Sequence, residues 1–166
     1  MTPATKTFQS LVFVVDDDPS VRDSIERLLG TIDLPVSAFG APREFLNADR
    51  PEVPSCLVLD VRLPGISGID FQRELNKANI RIPIIFITAH GDVPMSVKAM
   101  KAGAVEFLIK PFHDQDLLDA VQLALEKDRV RRLGEGEIGE LQRRMRTLTA
   151  CESEVLRLVL SGRLNK

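Results

Sequence analysis

Tryptophan and tyrosine are absent from this 166-residue chain, so its large aromatic side chains are all phenylalanine, without a hydroxyl or an indole N–H. Cysteine is scarce. Cys56 and Cys151 are far apart and lack metal-ligand spacing, and Cys56 opens an apolar run, so it reads as a buried strand residue rather than a disulfide partner. That usage points to a reducing, cytoplasmic setting. No apolar run approaches the roughly 20 residues of a membrane-spanning helix. The N-terminus lacks the basic-then-apolar layout of a signal peptide, which argues against a membrane role. No internal repeat is present.

What remains is ordinary globular composition, 44% hydrophobic and 28% charged, in a length that suits one domain with an appendage. The net charge of −2 is unevenly spread. Residues 1–127 hold 13 Lys/Arg against 18 Asp/Glu, giving −5, whereas residues 128–166 hold 9 against 6, giving +3. The basic end reads either as a hint of an acidic partner or as a solvated helix face.

Short apolar runs at 11–15, 36–39, 56–59, 82–87 and 104–109 are rich in Val, Ile and Phe and do not alternate with polar residues, as buried strands do. Amphipathic stretches near 19–31, 41–48, 66–78, 93–103 and 113–131 lie between them. Five strands alternating with helices predict an α/β fold, a doubly wound parallel sheet with helices on both faces. Asp18-Pro19 reads as a helix N-cap followed by proline at the first helical position, which leaves Asp16 and Asp17 for other work. Leu63-Pro64-Gly65 marks a loop and Gly103 a helix C-cap.

Beyond residue 127 the pattern changes. Gly134, Gly136 and Gly139 interrupt a helical stretch, predicting a linker over 128–147 that is part helix and part hinge. Thr149-Ala-Cys-Glu152 has the form of a capping box opening an apolar helix, so residues 148–166 read as the start of a further helical domain.

Charge sits at the C-terminal end of three of the apolar runs: Asp16 and Asp17 after Val15, Asp60 after Leu59, Lys110 after Ile109. That edge is where a parallel sheet builds its ligand site. Carboxylate oxygens suit a hard cation such as Mg²⁺ or Mn²⁺, with Asp17 and Asp60 as direct ligands and Asp16 acting through water. Two carboxylates 4 Å apart repel by about 4 kcal/mol at an effective dielectric near 20, which a metal and Lys110 would offset. Asp60 is then a nucleophile able to take a phosphoryl group. Thr88 ends the fourth run, where its hydroxyl can reach a phosphoryl oxygen, and Phe107 can repack when Thr88 moves. Val93, Val97 and Met100 share one helical face, which reads either as a dimer contact or as core packing. Singly these residues are turn, cap and core residues; their order along successive strand ends carries the reading.

The stretches Val14-Val-Asp-Asp-Asp-Pro19, Leu57-Val-Leu-Asp-Val-Arg-Leu-Pro-Gly65, Ile84-Ile-Phe-Ile-Thr-Ala89 and Phe107-Leu-Ile-Lys-Pro-Phe112 resemble the receiver domain of two-component response regulators, across residues 8–127. The resemblance implies a flavodoxin-like sheet of order 2-1-3-4-5 and a receiver over 1–127. It implies Asp60 as phosphoacceptor, Asp16 and Asp17 as the acidic pair, the backbone carbonyl of Arg62 as a further metal ligand, Thr88 as switch hydroxyl and Lys110 as the phosphate-pairing lysine. It also implies a cis peptide at Lys110-Pro111. Many relatives carry Tyr where this chain has Phe107. The stretches 90–95 and 101–107 look most like the FixJ-type subgroup, and 148–152, 154–156 and 162–166 resemble the start of a LuxR-type helix-turn-helix domain. The expected partners are a sensor histidine kinase, a second copy on phosphorylation, and DNA for a longer parent protein, with weak or no DNA binding by this chain. No enzyme activity is expected beyond self-phosphorylation from a donor and its reversal.

Two other readings compete. A phosphohydrolase of the haloacid-dehalogenase type would use Asp16 as nucleophile; no cap insertion for a substrate is present. A phosphorylation-independent interaction module would not need the intact acidic set.

Overall fold

In the computed structural model, which describes residues 9–162, the elements follow as β1 (Leu11–Val15), α1 (Pro19–Gly30), β2 (Val36–Phe39), α2 (Pro42–Asn47), β3 (Ser55–Asp60), α3 (Gly68–Lys77), β4 (Ile84–Thr88), α4 (Val93–Lys101), β5 (Glu106–Ile109), α5 (Asp114–Arg146) and α6 (Ala150–Leu160). All four strand pairings are parallel and the sheet order is β2-β1-β3-β4-β5, the expected doubly wound arrangement. Residues 1–8 and 163–166, which the expected domain boundaries include, lie outside the described residues.

The strands read as unbroken apolar runs because each feeds two cores at once. Successive side chains point to opposite faces. Phe13, Leu57, Leu59 and Phe86 pack with Phe45 of α2, Phe71 and Leu75 of α3 and Ala99 of α4. Val12, Val14, Val58, Ile85 and Ile87 pack with Ile25 and Leu29 of α1 and Leu117, Ala120, Val121 and Ala124 of α5. The T-shaped pairs of Phe45 with Phe13 and Phe71, ring centroids 5.2 and 6.2 Å apart, anchor the first core.

The helix starts follow local chemistry. Asp18 accepts a hydrogen bond from the Ser20 amide, with Pro19 in the first turn. Ser67 and Asp92 cap α3 and α4 in the same way. After α4, Ala102 is the C-cap and Gly103 follows at φ +101°, a left-handed turn that glycine adopts without strain. That turn continues through the Ala104 amide's bond to Ala99 O, so β5 begins at Glu106 instead of residue 104. Similarly β4 begins at Ile84, beyond Pro83, which has no N–H for the ladder.

The chain divides into two compact units, Met1–Arg129 and Val130–Lys166. Gly134, Gly136 and Gly139, expected to interrupt the helix, lie within α5. Each glycine costs about 1 kcal/mol relative to alanine in a helix. The surrounding residues are strong helix formers, stitched by Arg131–Glu135, Arg144–Glu140 and Arg143–Glu140 pairs one turn apart. In the same unit the capping box expected at Thr149–Glu152 is present.

One buried group had no precedent in the pattern. Asp128, 1% exposed on α5, accepts a hydrogen bond from the Ser55 amide at 2.8 Å, where β3 begins. Burial, and secondarily the Asp128 charge, push the Cys56 thiol far above its ordinary range, which keeps it inert. Asp128→Ala removes the acceptor and leaves a buried N–H unpaired. It is expected to lower stability by about 2 kcal/mol, read as a lower urea midpoint at unchanged m-value.

Candidate functional site

Parallel pairing brings the C-terminal ends of β1, β3, β4 and β5 to one edge of the sheet. Val15 pairs with Leu59, Asp60 with Ile87 and Thr88 with Ile109, so Asp16, Asp60, Thr88 and Lys110 emerge side by side. The Lys110 amide donates to Thr88 O at 2.7 Å, extending the β4–β5 ladder one step past the strands.

Asp16, Asp17 and Asp60 each bring a carboxylate oxygen within 4.8 Å of the others. Asp16 and Asp60 are buried, while Asp17 is exposed at the mouth. Lys110 Nζ stands 2.8 Å from Asp16 Oδ2 and 3.5 Å from Asp60 Oδ2. The remaining oxygens are also held: Asp16 Oδ1 accepts from the Asp18 amide at 2.9 Å and Asp60 Oδ1 from the Arg62 amide at 3.0 Å. One ammonium against three carboxylates leaves a charge of −2 in a cluster of hard oxygen donors, the set that a divalent ion such as Mg²⁺ matches.

The electrostatics follow from the crowding. Burial raises the Asp60 carboxyl above its ordinary range, and the Asp16 charge adds to this; the Arg62 N–H and Lys110 oppose it without cancelling it. For Lys110 burial acts to lower the pKa, but its hydrogen bond to Asp16 and the two carboxylate charges outweigh that and raise it. The lysine is therefore a fixed cation across the physiological range.

The other expected residues are placed as follows. Thr88 is fully buried, and its hydroxyl accepts from the His90 amide at 3.2 Å. Phe107 packs its ring against Phe86, 6.2 Å between centroids. Lys110-Pro111 is a cis peptide. Arg62 reaches the cluster through its N–H to Asp60, and it forms an isolated antiparallel bridge with Ser67. Val93, Val97 and Met100 do not pack into the core: they are 74%, 44% and 44% exposed, because α4 buries only Ala99.

The structure adds residues that the pattern did not reveal. Arg22 donates to the Asp16 carbonyl at 2.6 Å and so holds the acidic loop from α1. Gly91 lies against Phe107, Thr88 and Ile109, where a Cβ would come within 2.8–3.1 Å of their side chains. Gly68 lies against the Asp60 backbone. Nothing local in the sequence distinguishes such glycines from loop glycines, because the close approach is made by residues distant along the chain.

Residues 12–122 match the response regulator receiver domain family. The chain belongs to that family. Nodulation protein W of Bradyrhizobium diazoefficiens is 54% identical over 158 residues, covering 95% of this chain and 70% of its own. The transcriptional regulatory protein FixJ of Azorhizobium caulinodans is 39% identical over 155 residues, covering 93% and 74%. Among solved structures, the response regulator StyR is similar with a TM-score of 0.84 and 47% identity, over 93% of this chain and 78% of its own. The receiver fold expected from the strand-end motifs is thus the fold observed. Among the described residues no helix is long and apolar enough to cross a membrane.

The raised Asp60 pKa gives this receiver a signed pH dependence. A group whose folded pKa lies above its unfolded value stabilises the fold below the unfolded pKa, here about 3.8. That contribution is lost as pH rises through the folded value. Asp60→Asn removes the dependence. The metal-free variant is expected to be more stable than wild type at pH 7, with the advantage fading as pH falls to 3, in paired urea titrations. A variant less stable than wild type at pH 7 would contradict the crowding.

Proposed function

We propose that this receiver accepts a phosphoryl group on Asp60 from a sensor histidine kinase and thereby shifts toward a dimer that drives transcriptional output in a longer parent protein. The observation that carries this is the placement of one buried carboxylate, Asp60, beside both a second acidic pair and a lysine ammonium at the sheet's C-terminal edge. An Asp60 oxygen attacks phosphorus, the P–N bond of a phosphohistidine breaks, and the imidazole leaves with the bonding pair, leaving an acyl phosphate on Asp60. Asp16, Asp17 and Asp60, with the Arg62 carbonyl as a further ligand, would hold a divalent ion, which when bound would neutralise charge on the transferring group. Lys110 lies near enough to turn from Asp16 to a phosphoryl oxygen, and Thr88 ends the strand beside it, where its hydroxyl accepts from the His90 amide and keeps its own O–H to donate. The chain is accordingly a phosphorylation switch, with no turnover of external substrate beyond its phosphodonor.

The burial pattern favours Asp60 over Asp16 as nucleophile. Both carboxylates have each oxygen engaged, but Asp16 is fully buried with Lys110 at 2.8 Å, whereas Asp60 keeps 6% exposure and holds Lys110 only at 3.5 Å, which speaks against the hydrolase reading. The exposed face of Val93, Val97 and Met100 on α4 fits a contact between copies once Thr88 and Phe107 rearrange. DNA output is supported by the relative named a transcriptional regulatory protein, which is longer than this chain. Residues 148–166 would then begin its LuxR-type helix-turn-helix module.

The test is intact mass after incubation with acetyl phosphate and Mg²⁺. Wild type is expected to gain one phosphoryl adduct, and Asp60→Asn none, while remaining folded by circular dichroism. Omitting Mg²⁺ or substituting Asp17→Asn is expected to slow labelling at least tenfold. Stoichiometric labelling of Asp60→Asn sinks the assignment and moves the nucleophile elsewhere.

A further inference from the structure

We infer that Gly68 is a positioning residue for Asp60: the first turn of α3 rests on the Asp60–Val61 peptide at a separation only glycine permits, and so sets where the Asp60 carboxylate stands. This deepens, and rests on, the reading of Asp60 as phosphoacceptor.

A Cβ at Gly68 would lie 2.4 Å from the Asp60 carbonyl oxygen, 3.0 Å from Val61 Cα and 3.2 Å from Asp60 C. All three are backbone atoms, so no rotamer change relieves the contact. Gly68 is the first residue of α3 and does not use a left-handed torsion; glycine is needed for space, not for conformation. Its amide donates to Val61 O at 2.8 Å, and the Arg62–Ser67 bridge folds the intervening loop back on itself. The helix is therefore hydrogen-bonded to the strand end that presents Asp60.

Neither side can yield freely. Ser67 caps the turn through the Asp70 amide at 3.1 Å, and Ile69, Phe71, Gln72 and Leu75 bury the helix face. On the strand side the Val61 amide donates to Ile87 O at 3.0 Å. Bringing the closest contact from 2.4 Å to the 3.0 Å that real Cβ atoms respect displaces one of the two by at least 0.6 Å. Lys110 Nζ is already 3.5 Å from Asp60 Oδ2, at the limit of a hydrogen bond, so a shift of Asp60 away from it loses that contact. A misplacement of about 1 Å costs on the order of 100-fold in rate for a reaction that depends on alignment.

The experiment compares wild type, Gly68→Ala and Gly30→Ala. The last is a control at the end of α1, where nothing lies within 4 Å of an added Cβ. Two quantities are read: the labelling rate at saturating acetyl phosphate and Mg²⁺, and the ¹⁵N–¹H resonance of the Arg62 amide, which donates to Asp60 Oδ1. Gly68→Ala is expected to label at least tenfold more slowly with its Arg62 amide shifted, while Gly30→Ala matches wild type in both. Adding Ile69→Val to Gly68→Ala, which lets the first turn tilt away, is expected to recover part of the rate, whereas a purely structural defect would worsen. A folded Gly68→Ala that labels within twofold of wild type with an unmoved Arg62 amide overturns the inference. Should Gly68→Ala not fold, Ser67→Ala loosens the same turn without adding an atom; a slower rate with a shifted Arg62 amide supports the inference, and wild-type values of both overturn it. An unlabelled wild type defeats the phosphoacceptor reading instead, and the Arg62 amide of Gly68→Ala still reports whether Gly68 sets the position of Asp60.

Discussion

The ammonium of Lys110, 2.8 Å from Asp16 and 3.5 Å from Asp60, is the interaction on which this site depends. Without it two buried carboxylates would face each other with only backbone amides between them, at a separation where repulsion amounts to several kcal/mol. The lysine tolerates partial burial because the carboxylates raise its pKa by more than burial lowers it. The two carboxylates in turn tolerate each other because the lysine lies between strands that the sheet holds in register. Charge balance and strand order are one constraint: β1 and β5 lie on opposite sides of β3 and β4, and only side chains leaving the same edge could meet across them.

That edge is rigid for ordinary reasons. Each central strand is covered on both faces, so β1, β3 and β4 cannot slip without exposing two apolar layers at once. The loops beyond the strands are tied down separately: Arg22 holds the Asp16 carbonyl, the Asp18 amide holds the Asp16 carboxylate, and the Arg62 amide holds that of Asp60. A carboxylate fixed by packing beneath it and hydrogen bonds beside it needs little reorganisation when charge develops nearby.

How much of this could be read from the residues alone depends on the range of the interaction. Strand identity, helix caps and the acidic set were legible because each is written in contiguous residues: an unbroken apolar run, Asp18 before Pro19, an aspartate or lysine at a strand's end. The helical continuity of α5 across Gly134, Gly136 and Gly139 was not, because glycine penalties are local whereas the offsetting Arg–Glu pairs act a turn away. The roles of Asp128 and Gly68 were equally hidden. Asp128 meets Ser55 across 73 residues of chain, and Gly68 owes its identity to backbone atoms that the folded loop brings back beneath it. Whether the α4 face of Val93, Val97 and Met100 was core or surface was also undecidable from periodicity, which reports a shared face but not what lies opposite it.

The geometry also constrains how a charge on Asp60 could be felt elsewhere. Lys110 is joined to Thr88 through its own backbone amide, so a lysine pulled toward Asp60 acts on the same short ladder that carries the Thr88 hydroxyl. Thr88 and Phe107 both lie against Gly91, at the start of the loop into α4. With no side chain at residue 91, the Thr88 methyl and the edge of the Phe107 ring both border the space that a Cβ there would fill. Phe107 has no hydroxyl to tie it to a fixed partner, so its position is set by packing alone. The neighbouring surface leaves Ile109 and the α4 residues Val93, Val97 and Met100 exposed. A rearrangement that begins as a change in electrostatic balance at the sheet edge therefore has a short path, through packing rather than through the rigid central strands, to an apolar face that faces solvent.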